Sequence, residues 1–118
     1  MPSLREKQSL FVRLLQTFFE YAHSRGYELT LGEGHVDNPR KTRAGRSVED
    51  GGHMDQSLHY SRLAIDLNLF VDGKYISDGG HEAWQDLGLF WEGLHPMASW
   101  GGRFRDANHL SLRHGGRA

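Results

Sequence analysis

The residues best suited to chemistry are histidines and aspartates in two separate parts of the chain. His59 and Asp66 lie near the middle, and Asp106 and His109 lie near the carboxyl end. The chain contains no cysteine, so a metal site would have to use histidine and carboxylate ligands. Two histidines and one carboxylate leave one position of a tetrahedral zinc site open for water. Zinc lowers the pKa of such a water to about 7, and a nearby carboxylate such as Asp106 would act as the general base.

Each of these residues also has an ordinary structural interpretation. His59 could be a hydrogen-bonded histidine, Asp66 could belong to the polar face of a half-exposed strand, and Asp106 could be a turn residue. The ligands do not form a local motif of the His-Glu-x-x-His kind. Spacing alone therefore leaves both the zinc site and these alternatives open.

A strand is predicted to hold Asp66. Aliphatic residues alternate along 63–69 and define one buried face, with Asp66 on the other. His59 lies seven positions before Asp66, so an unbroken strand would point the two side chains to opposite faces. His59 is therefore expected in a loop or bend. Asp106 and His109 are three positions apart, so they can share a ligand only if the backbone between them is not extended.

Local signals predict the other elements. Ser3 and Glu6 form a possible capping box for an amphipathic helix over 3–25, which Gly26 would end. A short strand is predicted at 27–31 and a last one at 109–113. Asp72-Gly73 between apolar runs indicates a hairpin. A second helix is expected over 80–92, ending at Gly93, with a buried side formed by Trp84, Leu87, Phe90 and Trp91.

The segment 32–56 is rich in glycine and charged residues and is expected to be a long loop, with one short helix at most. Loops of this length in compact domains are often functional. Arg40, Arg43 and Arg46 could bind a substrate carboxylate through the guanidinium fork. The alternative is that all three are solvated surface charges.

The whole chain fits one α+β domain spanning residues 1–118. The net charge is −1, which does not resemble the basic footprint of a nucleic-acid-binding protein. There is no apolar run of about 18 residues and no signal-peptide layout, so we expect no membrane insertion and synthesis in the cytoplasm.

Two separated motifs resemble those of a known family. Ser57-x-His59-x-x-x-x-Ala64-x-Asp66, followed by Trp100-Gly101-Gly102 and Asp106-x-x-His109, resembles the zinc D-Ala-D-Ala carboxypeptidase / L-alanyl-D-glutamate endopeptidase family. The aspartate at position 106 looks like the phage endolysin branch. The resemblance implies zinc bound by His59, Asp66 and His109, with Asp106 as catalytic acid/base. It also implies a Hedgehog/D-Ala-D-Ala peptidase-like fold. In this fold a small, mostly antiparallel sheet packs on an N-terminal and a shorter second helix, and the metal lies in a groove on the other side.

The chain departs from the family pattern at two positions. The family glycine after the first histidine is replaced by Arg62, where a local variation of the backbone is expected because a side chain strains any positive φ. The family arginine is replaced by Val36, and Arg40 is assigned in its place as a substrate-binding residue. Ser57 is expected to hydrogen-bond a ligand or substrate. Trp100 is assigned to the substrate-binding region, where bracing the site is favoured over touching the substrate.

The implied function is hydrolysis of a peptide bond in the stem peptide of peptidoglycan, at L-alanyl-D-glutamate or at D-Ala-D-Ala. A monomeric phage endolysin is expected, made in the host cytoplasm and acting on the cell wall after release. The alternative is a non-catalytic zinc-bound module that binds a wall peptide or a protein partner. The changes at Arg62 and Val36 favour this alternative, and the presence of Asp106 argues against it. A zinc enzyme that cleaves a free D-amino-acid dipeptide is a third possibility.

Overall fold

A computed structural model describes residues 3–32 and 61–114. Within these ranges the protein has two helices and a small antiparallel sheet, which confirms the predicted α+β class. The helices are α1 (Leu4–Ser24) and α2 (Glu82–Leu94), and the strands are β1 (Tyr27–Leu31), β2 (Ala64–Val71), β3 (Lys74–Tyr75), β4 (Ala98–Trp100) and β5 (His109–Leu112). A short 3₁₀ helix (Gly101–Phe104) follows β4. Neither α-helix is long and apolar enough to cross a membrane.

The sheet places β2 at its centre. The strand order is β1-β2-β5-β4, every pairing is antiparallel, and β3 also pairs with β2. Asp66 of β2 lies directly opposite His109 of β5. Two candidate ligands that are 43 positions apart in the sequence therefore lie on neighbouring strands.

Helix α1 begins and ends as its sequence predicts. Ser3 and Glu6 form the capping box, with each side chain accepting a hydrogen bond from the other residue's backbone N–H. After the helix, Gly26 takes a φ of 83°, which a glycine adopts without strain. Phe11 and Phe18 are buried and both contact the edge or face of Trp91, with ring centroids 5.7 and 5.8 Å apart. These contacts join α1 to α2.

The strand and hairpin predictions are also confirmed. Leu63, Leu67 and Leu69 are at most 1% exposed, so one face of β2 belongs to the core while Asp66 lies on the other. Asp72 and Gly73 have φ values of 54° and 78°. Positive φ at both central residues is the conformation that a two-residue type I′ hairpin requires.

Helix α2 differs from its prediction at both ends. It begins at Glu82 instead of Gly80. It continues through Gly93 to Leu94 instead of stopping at the glycine. A Cβ at Gly93 would meet no other atoms, and Leu94 packs against the core. Extending the helix to Leu94 therefore buries part of the Leu94 side chain. His81 caps the start of the helix, because its Nδ1 accepts from the Ala83 N–H. His95 follows the helix, and its Nδ1 accepts from the Met97 N–H in the turn before β4.

Candidate metal centre

Two side chains from neighbouring strands form the base of the candidate site. His109 Nδ1 lies 3.1 Å from Asp66 Oδ1. This is a hydrogen-bond distance between the imidazole and the carboxylate. It is also near the separation of roughly 3.4 Å between two tetrahedral zinc ligands that each lie about 2.1 Å from the metal. The two side chains are 16% and 17% exposed, so they are largely shielded from bulk water.

Asp106 completes a group of three. One ligand atom from each of Asp66, Asp106 and His109 lies within 4.8 Å of the others. Asp106 is exposed, whereas the other two are half-buried. A divalent ion could therefore be held by the inner pair, with the third carboxylate on the solvent side.

A tight turn brings Asp106 to the same side as His109. The His109 N–H donates to the Asp106 carbonyl at 3.0 Å, which closes the turn, and the Asp106 N–H donates to the Gly101 carbonyl at 2.8 Å. On the other side, the Leu67 N–H donates to the Asn108 carbonyl at 2.9 Å. The non-extended backbone that the Asp-x-x-His spacing requires is therefore present.

Gly101 is needed for this arrangement. A Cβ at that position would overlap the Asp106 carbonyl oxygen and would lie 2.9 Å from His109 Cβ. The sequence indicated a turn at the glycine pair, but it gave no sign that one glycine packs directly under the candidate site. The Asn108 carbonyl likewise had no sequence signal, because a backbone group can come from any residue type.

Arg62 has a backbone conformation that is unusual for its residue type. Its φ of 58° lies in the left-handed region, which costs a residue with a Cβ about 1–2 kcal/mol. This is the position at which the family pattern has glycine. The expectation that the backbone would vary here to avoid positive φ is therefore wrong: Arg62 adopts a strained conformation that glycine adopts freely.

Of the other predicted site residues, Trp100 lies within the described part of the chain and the rest lie outside it. Trp100 is 4% exposed, and this burial fits the bracing role better than contact with a substrate. His59, Ser57 and Arg40 lie outside the described residues, as does Val36. The described part of the site therefore contains two of the three predicted metal ligands and the predicted acid/base.

Carboxylate and imidazole donors accept zinc and other divalent first-row metals, so the residues fit a metal ion without fixing which one. The sequence matches no protein-family model, and no curated protein is a significant match. The geometry and the residue pattern therefore have to support any functional conclusion.

Proposed function

We propose that the protein is a zinc-dependent peptidase that hydrolyses a peptide bond in the stem peptide of peptidoglycan, as a phage endolysin does. The supporting observation is the direct pairing of Asp66 with His109, with exposed Asp106 beside them. The pairing joins residues 43 positions apart in sequence.

The proposed chemistry assigns separate roles to the three residues. Asp66 and His109, together with His59, hold the metal. Bound zinc would lower the pKa of a water molecule and polarise the scissile carbonyl. Asp106 accepts a proton from the attacking water as the new C–O bond forms, and donates it to the amine nitrogen as the C–N bond breaks. The exposure of Asp106 suits a group that has to reach a substrate entering from solvent.

The fold gives further support. Helices α1 and α2 pack with the leucine face of β2, and Asp66 lies on the opposite face. This agrees with the Hedgehog/D-Ala-D-Ala peptidase-like arrangement that we propose for the chain. The φ of 58° at Arg62 is a conformation that glycine also adopts, so the Arg62 departure is compatible with the proposed site.

Substrate recognition is assigned to residues of the segment before β2. In this proposal Arg40 binds a substrate carboxylate and Ser57 donates a hydrogen bond to a ligand or to the substrate. The protein acts as a monomer on the cell wall. Asp66 and His109 form the base of the groove in which the peptide lies.

The test is the release of peptides from purified peptidoglycan by the zinc-loaded protein, analysed by mass spectrometry. We expect new amino termini of D-glutamate, or free D-alanine, and the product names the bond. Asp106→Ala should abolish release while zinc remains bound. Asp78→Ala is the matched control, because Asp78 is exposed and, among the described residues, its side chain accepts a local hydrogen bond from the Gly80 N–H and does not belong to the group of candidate ligands.

Other outcomes would replace the proposal. If the native protein binds zinc but releases nothing from peptidoglycan or from a free D-amino-acid dipeptide, the chain is a zinc-bound binding module. If only the dipeptide is cleaved, the substrate class is wrong. Undiminished release by Asp106→Ala would remove Asp106 from the mechanism.

A further inference from the structure

The ring of Trp100 lies behind the turn that carries Asp106 and His109. Trp100 ends β4 and is 4% exposed. Its indole N–H donates to the carbonyl of Ala107 at 2.7 Å. Ala107 lies inside the turn, next to Asp106 and two residues before His109. The indole therefore holds the backbone that orients two of the clustered side chains.

Two glycines lie directly against the Trp100 ring. A Cβ at Gly88 of α2 would overlap the Trp100 ring, and so would a Cβ at Gly102. The Trp100 backbone N–H also donates to Glu92 Oε2 at 3.2 Å. Helix α2 thus contacts both the ring and the backbone of Trp100. The indole N–H of Trp100 is hydrogen-bonded to the turn that carries Asp106 and His109.

We propose that Trp100 is a positioning residue that sets the metal affinity of the site through its hydrogen bond to Ala107. This inference rests on the proposed function only in taking Asp66 and His109, with Asp106 beside them, to form a metal-binding site. Metal ligands have to be held to within about 0.5 Å of their productive positions. Partners that orient ligands from outside typically change metal affinity 10–100-fold when they are mutated.

Trp100→Phe removes the indole N–H and keeps most of the ring. We expect zinc affinity to fall about 10-fold or more, measured by competition with a chromophoric chelator. In the metal-free protein, exchange of the His109 amide should accelerate, because this amide closes the turn by donating to the Asp106 carbonyl.

Trp91→Phe is the matched control. Trp91 is fully buried, and its indole N–H donates to the carbonyls of Ser99 and Ser111 but not to the turn. Both variants should lower the melting temperature. Only Trp100→Phe should weaken zinc binding and expose the His109 amide, which separates positioning from general support of the core.

A second pair of variants tests the same contact from α2. Gly88→Ala should displace the Trp100 ring and weaken zinc binding, although Gly88 is not one of the ligands. Gly93→Ala changes the same helix where the added methyl meets open space, so it should leave zinc affinity unchanged. This pair also serves if Trp100→Phe does not fold.

The outcomes distinguish this inference from the proposed enzyme. A protein that binds zinc without cleaving peptidoglycan refutes the peptidase and still allows the affinity comparison. A protein that binds no zinc refutes both the peptidase and this inference, because there is then no metal affinity for Trp100 to set. Native zinc affinity in both Trp100→Phe and Gly88→Ala would overturn the positioning role and leave the peptidase standing.

Discussion

At the scale of single residues, the backbone of Arg62 is the clearest conflict between residue type and conformation. The φ of 58° brings the Arg62 Cβ close to the backbone. Arg62 lies two residues before β2, the strand that carries Asp66. A glycine would remove the steric cost but would also lose the contacts of the arginine side chain. Comparing two substitutions that both remove the side chain separates these effects.

Arg62→Gly should be more stable than Arg62→Ala by about 1 kcal/mol, because alanine keeps the strain of the left-handed conformation and glycine does not. The measurement is urea unfolding of the metal-free variants at neutral pH. Equal free energies of unfolding would mean that the backbone relaxes out of the left-handed region when the arginine is removed.

At the scale of elements, the sequence predicted those features that have local signals. The capping box at Ser3 and Glu6 and the Asp72-Gly73 hairpin are each specified by a few adjacent residues. Strand β4 was not predicted, because three residues are too few to show alternation and all three are buried. Its position depends instead on pairing with β5 and on the contact of Trp100 with α2.

The candidate site could be predicted only in part, because only some of its features have local sequence signals. The Asp106-x-x-His109 spacing indicated a turn, but its distance from Asp66 depends on β5 pairing with β2. That pairing is non-local, and no periodicity within either segment specifies it. The motif resemblance supplied the grouping that the physical reading of the sequence left open.

A second element-scale feature joins the end of α1 and the start of β1 to α2. Asp86 accepts hydrogen bonds from Tyr21 Oη at 2.5 Å, Tyr27 Oη at 2.9 Å and Arg25 Nε at 2.9 Å. Burial raises the pKa of the Asp86 carboxyl, but the three donors and the arginine charge outweigh burial and leave that pKa below its ordinary value. The ionised form is therefore stabilised by folding.

Asp86→Asn should lower the free energy of unfolding by about 1–2 kcal/mol at pH 7. Because the folded-state pKa is depressed, the contribution of Asp86 is present above its unfolded pKa of about 3.9 and is lost as the pH falls through the folded value. Urea unfolding at several pH values should show a constant deficit at neutral pH that shrinks below about pH 4. A deficit that stays constant into that acid range would contradict this assignment.

At the scale of the whole molecule, the candidate metal site connects distant parts of the chain. Asp66 lies on the central strand and His109 begins the strand beside it, 43 residues later. An ion held by both would oppose separation of β2 from β5, and those two strands connect the β1 side of the sheet to β4. Binding to the folded state alone stabilises the whole domain by mass action.

Zinc should therefore raise the melting temperature. At a free zinc concentration about 100 times the dissociation constant, the gain is about 2.7 kcal/mol, or on the order of 10 °C for a domain of this size. Differential scanning calorimetry with and without a chelator measures the shift, which should reverse on chelation. Asp66→Asn should abolish it because a ligand charge is lost, whereas Asp106→Ala should retain most of it because the proposed acid/base does not hold the metal. A shift that survives Asp66→Asn but disappears in Asp106→Ala would exchange the roles of the two carboxylates.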